Sequence, residues 1–505
     1  MARNPSAAHP PSAAEPLRLA SARGRWVLFA TVLGSAVVGI DATAVNVATP
    51  AIGDDFDAGL SGLQWTINAY TLTLAGLLLL GGSLGDRFGR RRVFVIGVVW
   101  FAAASLLCAI APSVEALIVA RALQGVGGAL LTPGSLAIIQ ASFHRDDRGA
   151  AIGAWSGLGG VAIAIGPLLG GYLVDAVSWR LIFLINLPVA AAVIAVAVRH
   201  VPETRDPAEA RLDPVGAVLA AAGLAGVTYA LIEGPETGWD DPVVLATLIG
   251  GVLALAAFVV SQRVGSHPML PLEIFASAQF TAANLVTFVV YAALGGAIFL
   301  LAIQLQNVLG YTALQAGLAL VPMTIVMLLL SARAGRLSQR IGPRLPMTAG
   351  PLLAAAGLAL MVRIGEGAAY ATHVLPAVLV FALGLALTVA PLTATVLAAA
   401  SDAHAGVASG VNNDVARIGG LLAVAVLPPL AGISGGDYRD PDLLSDGFVI
   451  AIWISAALCA LGGVLAFLMI RNDRPGAGAE PVPHCPLDAP PRILAPAGPG
   501  HPGER

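Results

Sequence analysis

The sequence contains no lysine and few charged residues of any kind. Only 11% of its 505 residues are Asp, Glu, Lys or Arg, whereas 57% are hydrophobic. A phosphate-binding P-loop requires the lysine of the pattern G-x-x-x-x-G-K-[ST], so the absence of lysine excludes a nucleotide-driven pump within this chain. The scarcity of charge instead predicts a protein that lies mainly in a lipid bilayer, and we expect no nucleic-acid partner.

Residues that carry metal, redox or catalytic chemistry are also few. The three cysteines, Cys108, Cys459 and Cys485, show neither metal-binding nor redox spacing, and the eight histidines form no H-E-x-x-H motif or clustered ligand set. We therefore expect no metal site, no cofactor and no enzymatic activity.

Hydrophobic runs, by contrast, are long and regularly spaced. A helix needs about 20 mainly apolar residues to cross the hydrocarbon core of a bilayer. This criterion predicts fourteen spans, and the fold class is an all-α polytopic membrane protein. The predicted spans are 26–49, 63–84, 93–111, 116–137, 150–174, 181–198, 215–232, 243–260, 280–305, 313–330, 346–362, 374–398, 406–431 and 448–470.

The arginines predict the orientation of these spans. Of the 27 arginines, 22 fall in the two tails and in the loops that follow even-numbered spans, 3 fall in the opposite loops and 2 inside spans. Because basic residues are retained on the cytoplasmic side, both termini are expected in the cytoplasm of a bacterium, with the chain in its cytoplasmic membrane. Residues 1–25 and 471–505 are rich in Pro, Gly and polar residues and are predicted to be disordered tails.

One charged motif occurs twice. GGSLGDRFGRRR at 81–92 aligns with AGRLSQRIGPRL at 334–345, with a constant offset of 253 residues. Each copy joins two predicted spans, so the chain is predicted to contain two homologous six-helix halves, 26–199 and 279–470, separated by two additional helices within 200–278.

The first copy resembles the loop motif G-x-L-G-D-R-x-G-R-R-R of the major facilitator superfamily, and specifically of its fourteen-span drug:proton antiporters of the EmrB/QacA type. The resemblance implies a major facilitator fold in which this loop closes a cytoplasmic gate. It also implies that Asp86 lies near a helix N-terminus of the other half and that the arginines of the loop form ion pairs with acidic residues. The second copy has Gln339 in place of Asp86. A purely topogenic basic loop is the alternative. The gate residues are Gly82, Gly85, Asp86, Arg87, Gly89, Arg90 and Arg91.

Two further segments resemble the same family. GIDATAVNVATPAI places Asp41 inside the first span, where a carboxylate is costly and should face a cavity or a partner. ARALQGVGG in the fourth span places Arg121 and Gln124 on one helical stripe. The resemblance implies that Arg121 takes part in proton transfer, with Asp41 as its candidate partner and proton carrier. Hydrogen bonding between helices is the structural alternative for both residues.

The fifth span resembles the antiporter signature G-x-x-x-G-P-x-x-G-G. Gly166, Pro167, Gly170 and Gly171 match it, whereas its first glycine is Ala162 in this chain. The glycines Gly149, Gly153 and Gly157 of the same span also recur every four residues, a spacing that allows close helix approach. The signature favours export over uptake.

Charge also occurs in the thirteenth span, where Asp414 and Arg417 lie three residues apart. They are predicted either to neutralise each other or to form a second proton or substrate site. Candidate contacts for an amphipathic substrate are the aromatic and amide side chains Tyr70, Gln124, Trp155, Tyr291 and Gln304.

These features predict a proton-coupled antiporter that exports amphipathic organic compounds, such as drugs, antibiotics or antiseptics, and functions as a monomer. The alternatives are a facilitator-fold transporter of an endogenous metabolite and a membrane sensor or interaction protein that does not transport.

Overall fold

The protein is a bundle of long helices. The computed structural model describes residues 16–205, 212–265, 268–400 and 405–472. Fourteen helices in these ranges are long and apolar enough to cross a membrane. They are α1 (Ala22–Phe56), α2 (Leu60–Phe88), α3 (Arg90–Ala109), α4 (Val114–Ser142), α5 (Arg145–Ala176), α6 (Leu181–His200), α7 (Pro214–Thr237), α8 (Pro242–Val264), α9 (Ala278–Asn307), α10 (Ala313–Ile341), α11 (Arg344–Met361), α12 (Tyr370–Ala398), α13 (Ala405–Leu430) and α14 (Pro441–Met469).

Each predicted span corresponds to one observed helix, and several helices run past the predicted ends. Helix α10 continues to Ile341, whereas the hydrophobic run that predicted this span ends near residue 330. Hydropathy detects only the part of a helix that lies in hydrocarbon, whereas the backbone hydrogen bonds of the helix continue into its polar turns. Polar side chains fix several starts, such as the reciprocal capping of Thr312 and Gln315 at α10.

Hydrophobic packing follows the two halves of the chain. Two clusters of buried apolar side chains, one around Phe94 and Phe101 and one around Phe183, consist of residues from α1 to α6 and their connections. The largest cluster is built mainly from α9 to α14, with Phe381 and Phe448 among its members. Most of each apolar core thus comes from one set of six helices, α1 to α6 or α9 to α14, and the largest cluster also includes Ala58, Leu60 and Leu63.

The two additional helices pack outside one junction of the halves. Helix α7 lies against α2, where Trp65 Nε1 donates to Glu233 Oε1 at 2.7 Å. Leu224 of α7 joins Leu72 of α2 and Leu421 of α13 in a small apolar cluster. Helix α8 packs on α7 and is mostly exposed. Residues 206–211 and 266–267 of this region lie outside the described ranges.

The repeated motif is mostly helical, which corrects its interpretation as a loop between spans. Residues 81–88 form the last turns of α2 and Arg90 begins α3, so that Gly89 alone makes the turn. Gly89 and its equivalent Gly342 have φ values of 113° and 87°, a backbone region that glycine adopts readily. We call the end of the bundle that holds these two residues the glycine-turn end and the opposite end the Arg439 end.

The chain before α1 has backbone contacts inside the predicted N-terminal tail. The N–H of Leu17 donates to the Ser142 carbonyl at 2.8 Å, and the N–H of His144 donates to the Leu17 carbonyl at 3.0 Å. The boundary predicted at residue 25 therefore lies within packed structure. The remaining tail segments, 1–15 and 473–505, lie outside the described residues.

Candidate functional site

A fully buried carboxylate lies at the centre of the N-terminal half. Asp41 of α1 is 1% exposed, and its Oδ2 accepts from Arg121 Nη1 of α4 at 2.5 Å. Its Oδ1 accepts from Gln124 Nε2 at 2.8 Å and from Asn186 Nδ2 of α6 at 3.0 Å. Three donors from two other helices thus satisfy a charge that is expensive inside a membrane.

The donors around Asp41 have second acceptors of their own. Arg121 also donates to Gln124 Oε1 at 2.6 Å and to the Thr66 carbonyl of α2 at 3.0 Å. The amide groups of Gln124 and Asn186 reach Ser105 Oγ of α3 at 2.8 and 3.2 Å. Each donor therefore keeps at least one neutral acceptor when Asp41 is protonated. We call these six residues the Asp41 network; its members are Asp41, Thr66, Ser105, Arg121, Gln124 and Asn186.

Aromatic rings cover the cation of the network. The guanidinium carbon of Arg121 lies 4.2 Å from the centre of the Tyr70 ring and 5.7 Å from that of Phe183. Cation–π attraction grows when the cation is removed from water, so the rings stabilise Arg121 in a site without solvent.

The sequence predicted Asp41 and Arg121 as partners, and the structure brings them into contact. The sequence alone did not identify Ser105, Thr66 or Asn186 as members of this site. These are single polar residues in apolar helices, and the detectable signal was the presence of Asn186 within the hydrophobic run of the sixth span. Periodicity cannot show which face of α6 meets α1.

A cavity of about 370 Å³ lies between the two halves, next to the Asp41 network. Ala42 and Ile67, which line it, directly follow the network residues Asp41 and Thr66 in the chain. Its walls come from α1, α2, α9, α12 and α13. The lining residues are Ala42, Asn46, Ile67, Asn68, Thr71, Tyr291, Gly295, Thr393, Val396, Leu397, Ser409, Asn412, Asn413, Ala416, Arg417, Gly420, Leu421 and Val424.

The five residues proposed from sequence as substrate contacts are dispersed. Tyr291 lines the cavity. Tyr70 and Gln124 belong to the surroundings of Arg121, as described above. Trp155 donates to Ser35 Oγ at 3.1 Å, and the buried Gln304 donates to the Ile364 carbonyl at 2.9 Å, both away from the cavity lining.

Asp414 and Arg417 do not form the self-neutralising pair that their spacing allowed. Within the described chain, no nitrogen of Arg417 lies within 4.0 Å of an Asp414 oxygen. Asp414 Oδ1 and Arg417 Nε are each buried without a hydrogen-bond partner. Arg417 lines the cavity, whereas Asp414 does not.

The motif at the glycine-turn end makes its contacts within its own half. Asp86 Oδ1 accepts from Arg90 Nε at 2.7 Å, and Arg87 lies over the neighbouring Phe88 ring. The backbone N–H of Arg91 donates to Glu203 Oε1 at 3.1 Å. The described residues thus show no contact between Asp86 and the other half, the contact that the resemblance implied.

The second copy of the motif is held in an equivalent way. The backbone N–H of Arg344, the counterpart of Arg91, donates to Asn472 Oδ1 at 3.0 Å. In both halves, therefore, a side chain that follows the sixth helix of the half caps the start of the third.

Helix α5 differs between its two ends. Gly166, Gly170 and Gly171 are enclosed: a Cβ at Gly170 would lie 2.8 Å from the Ala44 Cβ of α1, and one at Gly171 would lie 2.5 Å from the Ala313 carbonyl of α10. The carbonyl of Pro167 lies against Gly317 of α10. The residues of the antiporter signature thus lie where α5 packs against α1 of its own half and against α10 of the other half.

The other glycines of α5 have no such neighbours. A Cβ at Gly149, Gly153 or Gly157 would meet nothing within 4 Å. The close helix approach that their spacing allows is absent at this face of α5, toward the glycine-turn end.

The Arg439 end, in contrast, joins the halves. Arg439 Nη1 donates to Asp57 Oδ1 at 2.6 Å, and Tyr438 Oη donates to the Ala58 carbonyl at 2.8 Å. Burial raises the pKa of the Tyr438 hydroxyl, so it stays protonated and continues to donate. Asp175 of α5 accepts from the first backbone N–H groups of α10 at 3.1 and 2.9 Å. Contacts between the halves therefore close this end of the cavity.

Comparison with known proteins gives consistent results. Residues 31–424 match the family described as the Major Facilitator Superfamily. The puromycin resistance protein of Streptomyces alboniger is 35% identical over 486 residues, which cover 94% of this chain and 96% of that protein. A methylenomycin A resistance protein of Streptomyces coelicolor is 37% identical over 446 residues, covering 88% and 92%.

Solved structures show the same fold at lower identity. A structure of an auto-inhibited POT family peptide transporter has a TM-score of 0.65 at 17% identity and covers 90% of this chain and 98% of its own. A bacterial homologue of the human lysosomal transporter Spinster has a TM-score of 0.62 at 19% identity, covering 89% and 97%.

The predicted family and fold class are thus confirmed, since the family match covers most of the chain and relatives above 30% identity align along nearly its whole length. The chain, a transporter rather than an enzyme, belongs to the major facilitator superfamily and to its fourteen-helix group of the EmrB/QacA type.

Proposed function

We propose that this protein is a proton-coupled antiporter that exports amphipathic organic compounds from the bacterial cytoplasm, acts as a monomer and has both termini in the cytoplasm. Relatives at 35–37% identity that are named for antibiotic resistance support export of such compounds. The distribution of arginines supports the orientation, which places the glycine-turn end in the cytoplasm.

The Asp41 network carries the proposal of proton coupling. Its carboxylate is buried, and every donor that contacts it has a neutral acceptor in Thr66, Ser105 or Gln124. Protonation of Asp41 therefore leaves each donor residue with a neutral acceptor, but it removes the counter-ion of the buried Arg121. The loss of this ion pair ties proton binding to a rearrangement of the network. Because Ala42 and Ile67 follow network residues, a rearrangement of the network moves two walls of the cavity.

Alternating access requires the two ends of the cavity to open in turn. We infer that the contacts of Arg439, Tyr438 and Asp175 break when the Arg439 end opens. Asp86 then leaves Arg90 and binds the other half as the glycine-turn end closes, which brings the open glycine face of α5 against a neighbouring helix. In this description Asp86 and the arginines beside it form the cytoplasmic gate.

The test uses inside-out membrane vesicles with an acidified interior. Amphipathic antibiotics and dyes, including the cations puromycin and ethidium and the carboxylate dansylglycine, are added while the pH of the lumen is followed. Wild-type protein should release protons on addition of a substrate, and Asp41→Asn should abolish this release. Glu115→Gln, which removes an exposed carboxylate at the start of α4, is the matched control and should behave as wild type.

Substrate accumulation in the lumen is measured in the same vesicles. Proton release by Asp41→Asn at the wild-type rate would refute the assignment of Asp41. Accumulation of substrate by the wild type with no dependence on the pH gradient would refute proton coupling itself.

A further inference from the structure

The cavity between the halves is asymmetric in charge. Among the described residues that line it, Arg417 alone carries a charge, while the others are apolar, amide or hydroxyl side chains. The neighbouring Asp41 is neutralised by Arg121 and lies behind the wall that Ala42 forms. A ligand in the cavity therefore meets one positive charge without a facing carboxylate.

Arg417 lacks the acceptors that Arg121 has. Its Nε is buried without a hydrogen-bond partner, and it forms no ion pair or hydrogen bond with another described residue. Asp414, three residues earlier on α13, is not among the residues that line the cavity. A cation inside a membrane span costs about 2.5–3.5 kcal/mol on insertion scales, so an arginine held in this way favours binding of an anion.

A second unpaired group lies on the wall that α2 forms. Asn68 of α2 lines the same cavity, is 0% exposed, and neither its Nδ2 nor its Oδ1 has a hydrogen-bond partner. Buried amide groups are paired in the great majority of proteins. The other amides of the lining have partners, since Asn46 donates to the Ala42 carbonyl and Asn412 to Thr287 Oγ1. Asn68 and Arg417 thus provide free donors from different halves.

We propose that Arg417 and Asn68 bind the acidic group of the substrate, so that the exported compounds are organic anions. The acidic group is a carboxylate or an ionised phenol, and the apolar body of the compound occupies the walls formed by Ile67, Leu421 and Val424. The planar guanidinium donates two parallel hydrogen bonds to such a group, and the ligand neutralises a charge that the protein leaves unpaired. This inference rests on the proposed export function and names its substrate class.

Equilibrium binding tests the inference without any ion gradient. The probes are dansylglycine, a fluorescent amphipathic carboxylate, and its uncharged methyl ester, measured by fluorescence with the purified full-length protein in detergent. The wild type should bind the acid at least about tenfold more tightly than the ester, equivalent to about 1.4 kcal/mol. Arg417→Gln should bind both with similar affinity. Arg263→Gln, which removes an exposed arginine at the end of α8, should keep the wild-type preference.

Two further variants guard against a change in folding. Arg417→Lys retains the charge but loses the paired donors and should keep part of the preference. Asn68→Asp adds a carboxylate to the lining that contains Arg417 and should remove the preference for the acid while ester binding persists. Equal binding of acid and ester by the wild type, binding of neither, or a preference that survives Arg417→Gln would overturn the inference.

The outcomes separate this inference from the proposed function. A preference for the acid that depends on Arg417, together with vesicles that show no proton release, would refute proton coupling and leave the anion site intact. Proton release on addition of substrate, with no preference between acid and ester, would refute the anion site alone.

Discussion

The N-terminal half buries both an arginine and an aspartate, whereas in the C-terminal half Asp414 is buried and Arg417 is only partly buried. In the N-terminal half, Asp41 and Arg121 come from different helices and are in direct contact. In the C-terminal half, Asp414 and Arg417 share helix α13, and both have buried polar atoms without partners. The first site is complete in itself, whereas Arg417 in the second is completed by a ligand.

This difference suggests that the two halves have different roles, proton coupling in the N-terminal half and substrate recognition in the C-terminal half. A network with spare neutral acceptors keeps its donor residues paired when Asp41 gains or loses a proton, while the buried charge of Arg121 makes the arrangement depend on that proton, which suits coupling. An unpaired arginine beside a cavity gains most from an incoming anion, which suits recognition. Both sites border the same cavity, through Ala42 and Ile67 on one side and Arg417 on the other, so a change in one site can affect the other.

The largest expected difference between the halves is in the free energy of unfolding of two variants, each of which removes one charge from one of the two sites. Asp41→Leu leaves the buried Arg121 without its counter-ion and should lower the free energy of unfolding by about 3–5 kcal/mol. Arg417→Leu leaves no ion-pair partner without its opposite charge, so the free energy of unfolding should stay within about 1 kcal/mol of the wild type. Reversible unfolding in mixed detergent micelles measures both. Equal destabilisation by the two variants would show that Arg417 has a structural partner.

A smaller difference is expected for amides in the two halves. Asn186→Ala removes a donor from a buried carboxylate and should cost about 1.5–3 kcal/mol. Asn413→Ala removes an exposed amide that donates only to the Ser409 carbonyl of its own helix, and should cost less than about 0.5 kcal/mol. The same unfolding assay compares them. If Asn186→Ala were neutral, the hydrogen bond to Asp41 would contribute nothing to stability.

The smallest effect concerns the equivalent caps at the glycine-turn end. Glu203→Ala and Asn472→Ala each remove a side-chain acceptor from the start of a helix, and each should cost about 0.5–1 kcal/mol. Glu203 also lies 3.6 Å from Arg91 Nε. The destabilisation by Glu203→Ala should therefore be slightly greater than that by Asn472→Ala, and it should decrease in high salt. Unfolding at low and high salt tests this. A salt dependence that is the same for both variants would contradict the added ion pair.

Much of the architecture could be predicted because membrane helices leave a local signal. An apolar run of bilayer length identifies a span, and the repeat at an offset of 253 residues identified the two halves. Asp41 and Arg121 were recognisable because a charge inside such a run is rare and requires a partner. The helix ends were less predictable, as α10 shows, since hydropathy does not report where a helix stops in water.

The membrane-spanning pattern, the repeat and the presence of buried charges were determined by the sequence alone, because each depends on neighbouring residues along the chain. Only the tertiary structure decided which charges are paired. Asn186 and Ser105 reach Asp41 because α3 and α6 present those particular faces to α1. Arg417 and Asp414 form no ion pair, although three residues on a helix allow contact, and only Arg417 lines the cavity. Helix rotation and packing set these directions, and the spacing of residues along one helix does not encode them.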